Sequence, residues 1–81
     1  SVNGTLKVFD EETGKPFLFM DFVNGIKHGK AVKYSADGKV YAVINFENDY
    51  AVSGKCMNGY KLTPKDLETI QFSIYRIQCG K

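Results

Sequence analysis

Three residues of this 81-residue chain have side chains suited to catalysis or metal binding: His28, Cys56 and Cys79. His28 is the single histidine, and a metal site or a His-based triad needs further ligands or a nucleophile beside it. The separations between the three positions lack the short paired spacing of a structural zinc site. We therefore interpret His28 as a solvent-exposed turn residue and predict neither a metal site nor enzymatic activity.

The acidic run Asp10-Glu11-Glu12 is the other group with potential chemistry, and it precedes the turn-forming pair Thr13-Gly14. Neighbouring carboxylates can bind a cation, but the spacing of a calcium-binding loop, with its central Gly and terminal Glu, is absent. No phosphate-binding loop of the GxxxxGK type occurs either. The run is interpreted as a solvated hairpin tip, and no cofactor is predicted.

Cys56 and Cys79 allow one intramolecular disulfide, which would close a loop of about 24 residues and stabilise the fold by about 3 kcal/mol. A domain of this size has a small core and benefits from such a cross-link. Two buried thiols in a cytosolic protein are the alternative. The disulfide predicts an exported protein, whether periplasmic, cell-surface or secreted, whereas the thiols predict a cytoplasmic one.

The charge of the chain points only weakly to a partner, because eleven basic and nine acidic residues leave a formal charge of +2. Nucleic-acid binding is not predicted, since it calls for a clustered basic stripe. The middle of the chain is locally basic, with four lysines that form a candidate surface for acidic lipid or an acidic partner. These lysines are Lys27, Lys30, Lys33 and Lys39. Alternatively, the lysines only discourage edge-to-edge aggregation.

Tyr41 and Tyr50 are the aromatic residues nominated as partner contacts. Exposed tyrosine beside lysine is a common composition for a recognition patch. Simple packing within a sheet is the alternative interpretation.

An internal repeat predicts the elements that position these residues. Residues 4–28 and 29–53 form two units with the same ordered series of Gly, aromatic, Gly-Lys, aromatic and Phe, and residues 54–62 begin a third. The matching pairs include Gly4 with Gly29, Phe9 with Tyr34, Phe17 with Tyr41, Met20 with Ile44 and Phe22 with Phe46. The repeat predicts one domain, residues 1–81, built from similar hairpins.

Turn dipeptides separate short segments that are rich in β-branched and aromatic residues. Asn24-Gly25 and Asp37-Gly38 suit type I′ turns, and Asn48-Asp49 is a weaker version of the same signal. Strands are predicted near 5–9, 16–23, 30–34, 39–46 and 55–61. Period-two alternation then places Leu18, Met20 and Phe22 on one face, and Ala42, Ile44 and Phe46 on the equivalent face. The predicted fold is mainly β, an antiparallel meander of about five strands.

The last part of the chain, residues 63–81, changes period and is predicted to cap the sheet with a helix near 64–78. Thr63 suits the N-cap, Pro64 the first helical position and Asp66 the capping box. A stripe at helical spacing follows, formed by Leu67, Ile70, Ile74 and Ile77, and Gly80 is a plausible stop. A strand over 72–77 is the competing prediction.

The repeat resembles the MORN repeat, and more closely its bacterial variant, over roughly residues 4–60. The matching run is Phe22-Val23-Asn24-Gly25-Ile26-Lys27-His28-Gly29-Lys30, followed by Tyr34 and by Asp37-Gly38-Lys39-Val40. The second unit departs from the pattern at Asn48-Asp49, which lacks the turn Gly, and the tail after Leu62 lies outside it. The resemblance implies stacked hairpins that act as scaffolds or interaction modules, sometimes at membranes, and frequent export.

The predicted function is a non-enzymatic module for protein–protein interaction or scaffolding, with a protein partner bound through the sheet face or an exposed edge strand. One alternative is a membrane-surface adaptor that binds acidic lipid through the central lysines. Another is a structural terminal fragment of a longer repeat protein. The oligomeric state does not follow from the sequence.

Overall fold

The computed structural model of the chain describes residues 3–80. Five antiparallel strands form one meander sheet in which each strand pairs with the next in sequence. The strands are β1 (Gly4–Phe9), β2 (Pro16–Val23), β3 (Ile26–Tyr34), β4 (Val40–Glu47) and β5 (Tyr50–Cys56). A helix, α1 (Pro64–Phe72), and a 3₁₀ turn (Ile74–Arg76) follow the sheet. The predicted fold class, a mainly β meander with a C-terminal helix, is confirmed.

Two of the hairpin turns contain two residues each, and both use positive φ at both positions. Asn24 and Gly25 have φ of 53° and 81°, and Asn48 and Asp49 have φ of 49° and 75°. These are the backbone angles of the type I′ turn, whose twist matches that of the strands it joins. The weaker signal at Asn48-Asp49 therefore marks a turn equivalent to Asn24-Gly25, although Asp replaces Gly.

The prediction of a type I′ turn at Asp37-Gly38 is wrong, because only Gly38 of this pair has positive φ. The pair lies in a longer loop between β3 and β4, closed by a hydrogen bond from the Gly38 N–H to the Ser35 carbonyl at 2.9 Å. The Asp37 carboxylate accepts hydrogen bonds from the Ser35 hydroxyl at 2.7 Å and the Lys39 N–H at 2.9 Å. Asp37 therefore stabilises the loop with its side chain rather than with a left-handed backbone.

The bounds of two strands differ clearly from the predictions. β3 begins at Ile26 rather than near residue 30, and β5 spans Tyr50–Cys56 rather than 55–61. Both shifts have the same cause: a two-residue turn lets the next strand begin at once. Beyond β5 the chain turns sharply, and Lys61 returns as a single bridge partner of Lys55.

The core lies between one face of the sheet, here called the inner face, and the C-terminal segment. Its buried residues are Leu18, Met20, Ala31, Ala42, Ile44, Phe46, Cys56, Leu62, Ile70, Ile74 and Ile77. The alternation predicted for β2 and β4 agrees with this arrangement, except that Phe22 is only half-buried and packs at the margin of the core. The opposite side of the sheet is called the outer face.

The helix is shorter than the predicted 64–78, because it ends at Phe72 and Ser73 adopts an extended conformation (φ −157°, ψ 113°). Its start is as predicted, with a capping box between Thr63 and Asp66 and with Pro64 in the first turn. Residues 72–77, for which a strand was the competing prediction, instead contain the end of the helix and the 3₁₀ turn. Ile74 and Ile77 still reach the core from this irregular segment, and Gly80 does not end the helix.

A disulfide joins Cys56, the last residue of β5, to Cys79, with 5.8 Å between the two Cα atoms. The Cys79 N–H donates to the Tyr41 hydroxyl at 3.1 Å, and the Cys79 carbonyl accepts from the Asn58 side-chain amide at 3.2 Å. The end of the described chain is therefore held against β4 and the turn after β5. None of the helices within residues 3–80 has the length and apolar character needed to cross a bilayer.

Candidate binding surfaces

The four central lysines nominated from the sequence do not lie together. Lys33 pairs with Leu18 and Ala42, so its side chain lies on the inner face. Its Nζ is 4.1 Å from the centroid of the Phe17 ring and donates to the Tyr34 carbonyl at 2.7 Å. Burial lowers the pKa of Lys33. This lysine is largely engaged within the protein.

The other three lysines lie in different environments. Lys27 pairs with Phe22 at the margin of the inner face, and its Nζ is 5.3 Å from the centroid of the Phe46 ring. Lys39 is exposed in the loop between β3 and β4. Lys30 pairs with Asn45 on the outer face. Alternation along β3 accounts for the separation of Lys30 from Lys27 and Lys33, because Lys30 is three positions from each and successive side chains face opposite sides of the sheet.

The two nominated tyrosines are also separated. Tyr41 is half-buried, and its hydroxyl accepts the Cys79 N–H, so it helps to hold the end of the chain. Tyr50 is 66% exposed at the start of β5 and borders a shallow groove with Leu67 and Phe72. Tyr50 alone is well placed to contact a partner.

His28 lies in β3 rather than in the predicted turn, whereas the acidic run lies in a turn as expected. His28 is exposed, and its Nδ1 accepts the Asn48 N–H at 3.3 Å. The Asp10 carboxylate accepts hydrogen bonds from the Thr13 and Glu12 N–H groups at 3.0 and 2.9 Å, which lower the pKa of Asp10. Over the described residues, no group of three His, Cys, Asp or Glu side chains is arranged to hold a metal ion.

The outer edge of β5 is covered by the chain itself. Gln71 of α1 accepts the Ala51 N–H at 2.7 Å with its side-chain oxygen and donates from its side-chain nitrogen to the Asp49 carbonyl at 2.6 Å. Further along the strand, the Leu62 N–H donates to the Gly54 carbonyl at 3.0 Å. The Cys56 N–H donates to the Tyr60 carbonyl at 2.8 Å. This edge is therefore unavailable to another strand over most of its length.

The edge at β1 is different, because β1 pairs with β2 alone within the described part of the chain. Five of its six residues are exposed. Leu6 is 51% exposed and lines an apolar groove with Phe22 and Gly25. An edge strand presents a row of backbone N–H and C=O groups that another strand can pair with. β1 thus combines a free edge with apolar side chains.

An aromatic ladder crosses the outer face beside this edge. The Phe9 and Phe19 ring centroids are 5.5 Å apart in an edge-to-face arrangement, and those of Phe19 and Tyr34 are 5.2 Å apart. Lys7 pairs with Phe19, and its Nζ is 5.5 Å from the centroid of that ring. The ladder brings an exposed aromatic residue, Phe9, to the margin of β1.

The outer face also carries a group of lysines that the sequence analysis missed, the lysine cluster, formed by Lys30, Lys55 and Lys61. All three line one depression beside Asn45 and Ser53. Lys30 belongs to the predicted set, whereas Lys55 and Lys61 do not. Once β5 is placed at 50–56, Lys55 pairs with Val43 and therefore lies on the outer face with it. The Asn58-Gly59 dipeptide, in which Gly59 has a φ of 92°, is a turn signal that could have indicated the return of Lys61 to Lys55.

No protein-family profile, curated protein or solved structure matches this chain.

Proposed function

We propose that this protein is a non-enzymatic interaction module that binds an extended segment of another protein by adding it as a strand to the β1 edge. The observation that carries the proposal is the difference between the two edges of the sheet. Gln71 and residues 60–62 cover β5 with hydrogen bonds, while β1 has a neighbour on one side only among residues 3–80. Strand addition uses main-chain hydrogen bonds for affinity.

The side chains around β1 provide the specificity such a mode needs. Successive residues of an added strand face opposite sides of the sheet, and each side of β1 offers a different contact. The inner side has the apolar groove lined by Leu6 and Phe22, and the outer side has the exposed ring of Phe9. Lys7 supplies a positive charge at the same edge. The favoured partner segment is therefore extended, with apolar side chains at alternate positions and an acidic residue among them.

The test is a selection of short random peptides against the folded chain, followed by amide hydrogen exchange of the bound complex. The expected result is slower exchange within Gly4–Phe9 when peptide is bound. Leu6→Asp should weaken binding about tenfold or more. Val52→Asp on β5 is the matched control, because Val52 is an exposed edge-strand aliphatic like Leu6, at 45% against 51% exposure.

Two results would overturn the proposal. One is a set of selected peptides that still bind Leu6→Asp and leave exchange within β1 unchanged. The other is a sedimentation measurement in which the chain alone forms a dimer that Leu6→Asp dissociates. That result would assign the free edge to a second copy of the chain instead.

A second candidate function is that of a terminal unit in a longer array of MORN-type hairpins. The same asymmetry supports it, because α1 and the disulfide close one end of the sheet and leave the other end able to accept a further hairpin. Repeat arrays gain stability from each stacked neighbour. A tandem chain with a second copy of residues 4–28 joined before Gly4 should unfold at a higher denaturant concentration. An unchanged midpoint would count against stacking at β1.

An exported location belongs to the same proposal, and the Cys56–Cys79 disulfide supports it. Disulfides persist in oxidising compartments and are rare in the reducing cytosol. Alkylation of thiols in intact source cells, followed by mass measurement, should find both cysteines protected. Alkylation of both would indicate a cytoplasmic protein.

A further inference from the structure

The lysine cluster places three positive charges around one depression of the outer face. The described residues that line it are Lys30, Val43, Asn45, Ser53, Gly54, Lys55, Gly59 and Lys61, and no carboxylate is among them. Asp21 lies on the β2 side of Lys30, where its carboxylate accepts from the Thr5 hydroxyl at 2.8 Å and from the Lys30 N–H at 3.4 Å. The depression is therefore positively charged, because no carboxylate among its lining residues neutralises the three lysines.

The backbone holds Lys55 and Lys61 in an unfavourable arrangement. The two residues are direct antiparallel bridge partners, and like charges at directly opposite positions destabilise a strand pair. Hydrogen bonds on both sides of the bridge, from Leu62 to Gly54 and from Cys56 to Tyr60, prevent the two segments from separating. An anionic ligand bound between the two side chains would offset the repulsion expected of such a pair.

The polar groups between the lysines are arranged as donors. The Lys30 Nζ donates to the Asn45 side-chain oxygen at 3.1 Å, and the Asn45 side-chain nitrogen donates to the Ser53 hydroxyl at 2.9 Å. Ser53 accepts in this series of hydrogen bonds, so its own hydrogen can be donated to a ligand. Ammonium groups and one hydroxyl hydrogen are complementary to an ionised carboxylate, which only accepts.

We propose that the lysine cluster binds an acidic segment of a protein partner through two or more carboxylates. Charge complementarity and spacing favour this occupant. Neighbouring strands lie about 4.8 Å apart, and alternate side chains of an extended chain recur about every 6.8 Å. Acidic residues at alternate positions can therefore reach the Lys30–Ser53 side and the Lys55–Lys61 side together. A depression suits a narrow polypeptide better than the broad plane of a bilayer.

This site shares no residue with the β1 edge, so its test is independent of the strand-addition proposal. The probe is a fluorescent peptide of alternating Glu and Ser, and its matched control is the same peptide with Gln in place of Glu. Anisotropy titration of the full chain should show binding of the Glu peptide only, and the affinity should fall steeply with salt. The double variant Lys55→Gln/Lys61→Gln should bind about tenfold more weakly or worse.

The control variant is Lys15→Gln/Lys65→Gln, which removes the same charge from exposed positions outside the depression. It should bind the peptide within about twofold of the unmodified chain, because the ligand contacts neither lysine. Circular dichroism checks that both variants retain the fold. An equal loss of affinity in both variants would overturn the proposal, since overall charge would then account for binding. Absence of Glu-peptide binding would also overturn it.

Vesicles with and without phosphatidylserine form the last arm of the test. We expect the lysine cluster to contribute little to vesicle binding. If the chain instead binds the acidic vesicles more tightly than the peptide, and Lys55→Gln/Lys61→Gln abolishes that binding, the site belongs to an acidic membrane surface. That outcome would overturn the assignment to a protein segment.

Discussion

Asn24 and Asn48 occupy equivalent positions in two turns and have nearly the same backbone conformation, with φ of 53° and 49°. The register irregularities of the two units also correspond: one follows Val8 in the first hairpin and Lys33 in the second. Units of similar sequence therefore share the local distortion within their hairpin and the two-residue turn that follows it. This correspondence links the sequence repeat to the geometry of the sheet.

The left-handed conformation of Asn48 leads to a prediction about its substitution. Asn48→Ala should lower the free energy of unfolding by about 1–2 kcal/mol, because a residue that has a Cβ atom but no polar side chain is disfavoured at this φ. Asn48→Gly should be close to neutral, since Gly adopts positive φ freely. Urea denaturation of both variants measures the difference. Equal stabilities for the Ala and Gly variants would contradict the assigned turn.

The two phenylalanines of the repeat should differ in their contribution to stability. Phe46 is 3% exposed, and Phe46→Ala is expected to cost about 3–5 kcal/mol as a core truncation. Phe22 is half-buried beside the uncovered groove, so Phe22→Ala should cost about 2 kcal/mol or less. Chemical denaturation measures both. A larger loss for Phe22 than for Phe46 would mean that the core extends further toward β1.

Reduction of the disulfide should lower stability because the unfolded chain then regains the freedom of a 23-residue separation. The expected loss is about 3 kcal/mol, measured by denaturation with and without a reductant. A Cys56→Ala/Cys79→Ala variant is the control for effects of the reductant itself, since its stability should not change on addition of reductant. A loss below about 1 kcal/mol in the native chain would contradict this contribution of the disulfide.

The start of α1 should contribute to acid sensitivity. The Thr63 N–H and then the Tyr60 hydroxyl donate to the Asp66 carboxylate, at 2.9 and 2.7 Å, and they lower the pKa of Asp66. A carboxyl group whose pKa is lower in the folded state adds stability above its unfolded pKa, near 4, and this stability is lost as the pH falls through the folded value.

Asp66→Asn should therefore flatten the fall in stability below about pH 4. Glu68→Gln, on the same helix, is the control substitution. Denaturation at a series of pH values compares the two variants with the native chain. The same acid dependence in native chain and Asp66→Asn would contradict this role of the capping box.

Local sequence signals predicted the strands and the inner face well where the contacts are close in sequence. Alternation identified Leu18, Met20, Ala42 and Ile44, since a period of two depends only on the strand itself. The closure of β5 by Gln71 was not predictable, because the bond from the Ala51 N–H spans 20 residues and leaves no local pattern. The lysine cluster was missed for a different reason: the prediction of one strand over 55–61 left out the turn near Asn58-Gly59 that brings Lys61 beside Lys55.

Gly54 has the least space for a Cβ atom among the described glycines, because residues 60–62 lie beside β5. It leads to the last prediction. A Cβ atom at Gly54 would lie 2.5 Å from Leu62 Cδ1 and 3.2 Å from the Val43 carbonyl oxygen. Because Leu62 is buried in the core, Gly54→Ala should cost about 1–3 kcal/mol through overpacking. Leu62→Ala alone should also destabilise the protein, by leaving a cavity.

The double variant Gly54→Ala/Leu62→Ala distinguishes packing from backbone effects. The methyl group introduced by Gly54→Ala would partly occupy the space of the truncated leucine, so the double variant should be more stable than the sum of the two single losses predicts. A coupling free energy of at least about 0.5 kcal/mol from the denaturation cycle would support this contact. If the two losses of stability are strictly additive, the methyl group introduced by Gly54→Ala does not contact the Leu62 side chain. The cost of Gly54→Ala would then come from the backbone of β5 alone.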